Sequence, residues 1–90
     1  MLNIIRRFRT RKTLKAVAQE ARHWTDANHA NAEFYAQLHL SLRYSQKDDP
    51  FSRELADRIA DVAGTLAKAE ELANQYELEA LVAEHRYANA

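Results

Sequence analysis

The chain has no cysteine, one glycine and one proline in 90 residues, and its formal net charge is zero. The lack of cysteine excludes a disulfide framework, a thiol nucleophile and any cysteine-ligated zinc site. Scarce glycine and proline argue against a turn-rich sheet protein, and no glycine-rich phosphate loop is present to suggest an NTPase or dinucleotide site. Zero net charge removes the strongest whole-chain signal for a polyanion partner. No apolar run approaches the roughly 20 residues needed to span a bilayer. Residues 1–15 carry six Arg or Lys and no acid, but lack the apolar core and small-residue cleavage site of a secretory leader. The expectation is a cytoplasmic protein.

What is present favours helix. The chain is 47% hydrophobic and 29% charged, and much of the apolar fraction is alanine, a strong helix former that buries little area. Ninety residues support one small domain. The expected fold is all-α: two long antiparallel helices joined at residues 47–50, forming a coiled-coil-like hairpin over residues 1–90, with residues 1–10 as a basic amphipathic extension. At the junction, Asp49 can cap the second helix and Pro50 suits its first position, where a missing N–H costs nothing.

Beyond Pro50, Leu55, Ile59, Val62, Leu66, Ala69, Ala73, Tyr76, Ala80, Ala83 and Tyr87 follow alternating steps of four and three. All ten are apolar or aromatic, the signature of a coiled-coil seam. Gly64 lies off that stripe. In the first half, Leu14, Val17, Ala21, Trp24, Asn28, Asn31, Tyr35, Leu38, Leu42 and Ser45 keep a similar rhythm with polar interruptions. The apolar phase resumes after the asparagines without a slip, which favours one helix from about Arg11 to Gln46 over a break at residues 25–31. Folding back places residues level when their numbers add to about 97, for example Leu38 with Ile59 and Trp24 with Ala73. The expected packing positions are therefore Trp24, Asn28, Asn31, Tyr35, Leu38, Leu42, Leu55, Ile59, Val62, Leu66 and Tyr76.

One alanine-rich seam covers little surface against the entropy of ordering the chain. Phe34, Leu40, Tyr44, Phe51, Leu72, Leu78, Leu81 and Val82 are surplus to it. A homodimer forming a four-helix bundle would bury several of them, and a helical heteromeric partner would serve equally. Asn28 and Asn31 have three readings: specifying register across the seam, capping or kinking the helix locally, or binding a ligand.

The basic cluster Arg6, Arg7, Arg9, Arg11, Lys12 and Lys15 is interleaved with Leu2, Ile5, Phe8 and Leu14. Residues 1–49 carry nine basic and five acidic side chains (+4), and residues 50–90 carry four and eight (−4). Complementary halves suggest that the segment packs on Leu78, Leu81, Val82 or Tyr87, with its arginines meeting Glu77, Glu79 and Glu84. The alternatives are contact with nucleic-acid phosphates or with anionic lipid at a membrane surface.

Catalytic constellations are lacking. His23, His29, His39 and His85 form no i,i+3 or i,i+4 ligand pair, so no metal site is expected. Glu54, Asp57 and Asp61, like Glu70 and Glu71, space out along a polar helix face, where carboxylates sit in water. The reading is of no enzyme, no cofactor and no small-molecule substrate. The chain is expected to be a small interaction or assembly subunit acting through helical faces, with a nucleic-acid-binding regulator or a peripheral membrane adaptor as alternatives.

Overall fold

The computed structural model describes the backbone of residues 2–90 and the side chains from Thr10 onward. The chain is all-α, with two helices: α1 spans Leu2–Asp48 and α2 spans Arg53–Ala88. Helix α1 passes unbroken through residues 25–31, so neither Asn28 nor Asn31 starts a new helix. No proline or glycine interrupts it. It begins at Leu2 rather than near Arg11 and so includes residues 1–10 apart from the first.

The junction differs from the expectation in one respect. Helix α1 stops at Asp48 because Asp49 precedes proline, whose ring disfavours helical backbone in the residue before it. The Asp49 amide closes α1 by donating to the Gln46 carbonyl at 3.2 Å, and the Ser52 amide donates to the Asp49 carbonyl at 3.3 Å. Asp49, Pro50, Phe51 and Ser52 thus form a β-turn. No non-glycine residue has positive φ, which identifies it as type I, with aspartate and proline at their preferred first two places. Ser52, not Asp49, caps α2: its Oγ accepts the Leu55 amide at 3.2 Å, and its carbonyl accepts the first helical bond, from Ala56 at 3.1 Å. Pro50 belongs to the turn, two places before the cap.

The chain divides into two compact units: residues Asn28–Ala73, and residues Met1–Ala27 together with Asn74–Ala90. In the first of these, the arms 28–48 and 53–73 form a helical hairpin about the turn. Its buried side chains are Ala32, Ala69 and Ala73, with Tyr35, Leu38, Leu42, Leu55, Ile59, Val62 and Leu66 half-buried. In the second, the segments run antiparallel. The Arg22 guanidinium lies 3.1 Å from Glu77 and that of Arg11 lies 5.7 Å from the centre of the Tyr87 ring. Those pairs add to 99 and 98, within two residues of the sequence-based register. Ala18, Thr25 and Ala80 are buried there.

All ten stripe positions of α2, from Leu55 to Tyr87, are buried or half-buried. On α1, one row of the expected stripe, Leu14, Ala21, Asn28, Tyr35 and Leu42, is half-buried. The other row is displaced by one residue. Ala18, Thr25 and Ala32 are buried and His39 and Gln46 half-buried, whereas Val17, Trp24, Asn31 and Ser45 are exposed and only Leu38 of that row is half-buried. Trp24 is 48% exposed beside a fully buried Thr25. Alanine and threonine permit a close helix approach that tryptophan would prevent. Burial costs the threonine hydroxyl no bond, since its Oγ1 donates to the Ala21 carbonyl one turn back at 2.8 Å.

Gly64 is exposed mid-helix, its φ is negative, and a Cβ there would meet nothing within 4 Å. Gly64→Ala should therefore stabilise the fold by about 0.5–1 kcal/mol through helix propensity alone. Urea unfolding checks it; a lowered midpoint would mean that the face outside Gly64 is occupied in solution.

Candidate functional site

The described side chains offer two kinds of surface. One is apolar. Ten large hydrophobic residues are between 43% and 96% exposed. In the unit of residues 28–73 these are Phe34, Leu40, Tyr44, Phe51 and Leu72. Phe51, 96% exposed, sits in the β-turn. Phe34 meets Tyr35 edge-on at 5.4 Å between ring centres, and Lys47 Nζ lies 4.7 Å from the centre of the Tyr44 ring. Leu40, Arg43, Tyr44, Gln46, Lys47 and Pro50 line a shallow open groove beside the turn.

The other unit exposes Val17 and Trp24 on α1, and Leu78, Leu81 and Val82 on α2. His23 stands edge-on to Trp24 at 5.6 Å. Leu78, Leu81 and Val82 follow i, i+3, i+4 spacing and so share one face of α2, turned away from the packed positions Tyr76, Ala80 and Ala83. Of the four residues expected to meet the basic N-terminal segment, Tyr87 is half-buried beside Arg11 while Leu78, Leu81 and Val82 are exposed; the part of that expectation carried by residues 1–9 lies outside the described side chains.

The second surface is charged, and also lies in the unit of residues 1–27 and 74–90. Arg22 donates to Glu77 at 3.1 Å through Nη1 and to Glu84 through Nη2. Arg22 follows the packed Ala21 by one place, as Glu77 follows Tyr76 and Glu84 follows Ala83. Flanking places beside a seam are where opposite charges meet across paired helices. Among the described residues, the expected partners Glu77 and Glu84 are bridged by Arg22. The hydrogen bond to Glu84, aided by the charges of Glu77 and Glu84 and opposed by desolvation, raises the Arg22 pKa above its ordinary value. A raised basic pKa adds stability that is present around neutrality and, on the alkaline side, fades only as pH climbs through the higher folded value. The Arg22 guanidinium is no switch near neutrality.

Beside this clamp, Arg11, Lys12, Lys15 and Tyr87 line an open groove, which continues past Lys15 and Tyr87 to Ala18, Gln19, Arg22 and Glu84. Arg11, Lys12 and Lys15 are exposed, and no described carboxylate lies within ion-pair distance of them. Arg6, Arg7 and Arg9, with Leu2, Ile5 and Phe8, lie outside the residues whose side chains are described.

Among the described residues no group of three or more His, Asp or Glu side chains is placed to hold a metal ion. His39 is half-buried on α1, whereas His23, His29 and His85 are exposed; Asn89 Nδ2 donates to the His85 carbonyl at 2.8 Å. Among the described residues, no helix is long and apolar enough to cross a membrane. Sequence reading missed Ala18, Thr25 and Ala32 as packing positions, and Arg22 as the bridging cation. The spacing of Glu77 and Glu84, seven apart beside a seam, was the available signal for Arg22. Comparison of the chain with family models, with curated proteins and with solved structures gives no match in any of the three.

Proposed function

We propose that the chain is a small interaction and assembly subunit whose exposed helical faces join a second copy, closing a four-helix bundle. The observation that carries this reading is the amount of surface left accessible. The chain exposes 7452 Å², whereas a compact monomer of its 10.4 kDa mass exposes about 5400 Å². An obligate homodimer interface buries about 2000–5000 Å² over both copies, an area that exposed helical faces of this extent can supply. Much of what is exposed is suited to burial: among the described residues the fully packed side chains are five alanines and Thr25, while ten larger apolar residues remain in contact with water. Large exposed apolar patches on small helical proteins mark association sites.

Closed two-fold pairs are the commonest assemblies of identical chains, and paired helical hairpins bury their surplus faces against each other in a four-helix bundle. Mass measurement over a roughly thousandfold dilution tests the reading, since an obligate pair has no stable folded half. The expected result is twice the 10.4 kDa chain mass at high concentration, with helix content falling as the pair dissociates. A folded species of single-chain mass throughout the series would overturn it.

A further inference from the structure

We infer that the groove lined by Arg11, Lys12, Lys15 and Tyr87 binds the phosphate backbone of a nucleic acid without reading its sequence. This goes beyond the assembly role and rests on a separate observation: how cationic side chains are disposed among residues 1–27 and 74–90. Arg22 is held between two carboxylates, Glu77 and Glu84, and is thereby neutralised. Arg11, Lys12 and Lys15 have no described acid within ion-pair distance and face water along one groove. Arg11 is also positioned, its guanidinium 5.7 Å from the centre of the Tyr87 ring. Such a contact costs the arginine none of its donors, because the ring takes the cation's face and leaves the N–H edge outward.

Spacing suits a polyanion better than a single ion. Arg11 and Lys15 are four residues apart on one helix, so their Cβ atoms lie about 5–6 Å from each other. Phosphates repeat along a nucleic-acid strand on a comparable scale, with a charge every 3.4 Å or so of helix rise per strand. Surroundings decide between a nucleic acid and a lipid surface. Of the described residues around these cations, Thr10, Thr13, Ala16, Val17 and Gln19 are exposed and Leu14 is half-buried, so a single valine is the one larger apolar side chain among them open to a bilayer. Membrane-surface helices need such side chains beside their cations. Among the described lining residues the free donors are the cations Arg11, Lys12 and Lys15, with Gln19 the one amide side chain beside them, so recognition is assigned to the phosphate backbone.

The test uses the full chain, a fluorescent DNA duplex of about 20 base pairs and, separately, vesicles of mixed phosphatidylserine and phosphatidylcholine. The duplex should bind at low salt. The triple variant Arg11→Ala, Lys12→Ala, Lys15→Ala should bind at least tenfold more weakly. Its salt dependence, as log K against log salt, should be shallower by about 2 to 3, near 0.9 per lost phosphate contact. A control variant, Arg53→Ala, Arg58→Ala, Lys68→Ala, removes three exposed cations elsewhere and should stay within about threefold of the parent. Circular dichroism verifies that each variant keeps its helices. The inference falls if the parent ignores the duplex at low salt, if both triple variants lose affinity equally, if the groove variant binds as the parent does, or if the parent takes up vesicles in preference to duplex.

Discussion

Ala80→Leu is expected to destabilise the protein by about 3 kcal/mol, the upper end of the usual penalty for overpacking. Ala80 has no exposed surface, and Ala18, which comes level with it in the antiparallel register, is only 7% exposed. Three added carbons have no space there unless the helices separate, and separation would uncover Thr25 and its neighbours. Small domains of this length are stable by roughly 5–13 kcal/mol in total, so the change should lower the melting temperature by about 12–24 °C. Measurement at fixed protein concentration isolates the effect, because association also moves the transition. A melting temperature within a degree or two of the parent would mean that the helices do not approach closely at Ala80. The same experiment reads the phase of α1: Ala18→Leu should be disruptive and Val17→Leu close to neutral, since the first is buried and the second half exposed.

That difference of phase shows where sequence was legible and where it was not. On α2 each heptad offers one credible choice per place: Ile59, Leu66, Ala73, Ala80 and Tyr87 stand seven apart, as do Leu55, Val62, Ala69, Tyr76 and Ala83, and all are at least half-buried. On α1 two neighbours compete for each place in one row: Val17 or Ala18, Trp24 or Thr25, Asn31 or Ala32. Ranking by hydrophobicity selects Val17 and Trp24. The fold buries the smaller or less bulky residue of each pair, Ala18, Thr25 and Ala32, because helices in close approach leave room only for compact side chains. A mismatch in volume is invisible to a pattern of apolar against polar. The same limit explains the cap: an Asp-Pro pair suggests a helix start, yet a type I turn takes Asp49 and Pro50 at its first two places and moves the cap to Ser52.

The charged site was legible as charge and hidden as geometry. A +4 first half and a −4 second half announce that the halves attract, but attraction alone does not say which arginine meets Glu77 and Glu84. Register does. Adding one residue to the seam positions Ala21, Tyr76 and Ala83 yields Arg22, Glu77 and Glu84, all on the flank of the packed face. Arg22 fills the clamp, Arg11 lies against the Tyr87 ring, and Lys12 and Lys15 are exposed.

The largest effect expected on association comes from Leu78→Glu combined with Leu81→Glu. Both leucines are more than half exposed, 66% and 52%, so the substitutions remove no packing within the chain, and helix content should fall only as the pair is lost. Their cost arises only where a second copy covers them. Burying a leucine contributes about 1.5–3 kcal/mol, and a two-fold interface repeats each change in both partners. Two substitutions then remove four buried leucines, about 6 kcal/mol at the lower figure, which is roughly 10⁴-fold in Kd. The glutamates would add repulsion across the axis, placed as they are beside Glu77, Glu79 and Glu84. The double variant should be a single chain by mass at concentrations where the parent is paired, and with no partner to complete its core it should also melt at lower temperature. Retention of the parent's mass over the dilution series would move the interface off this face of α2, to the exposed Phe34, Leu40 and Tyr44 of α1. Loss of mass in the double variant with full retention in a matched Phe34→Glu variant would assign the pairing surface to Leu78, Leu81 and Val82.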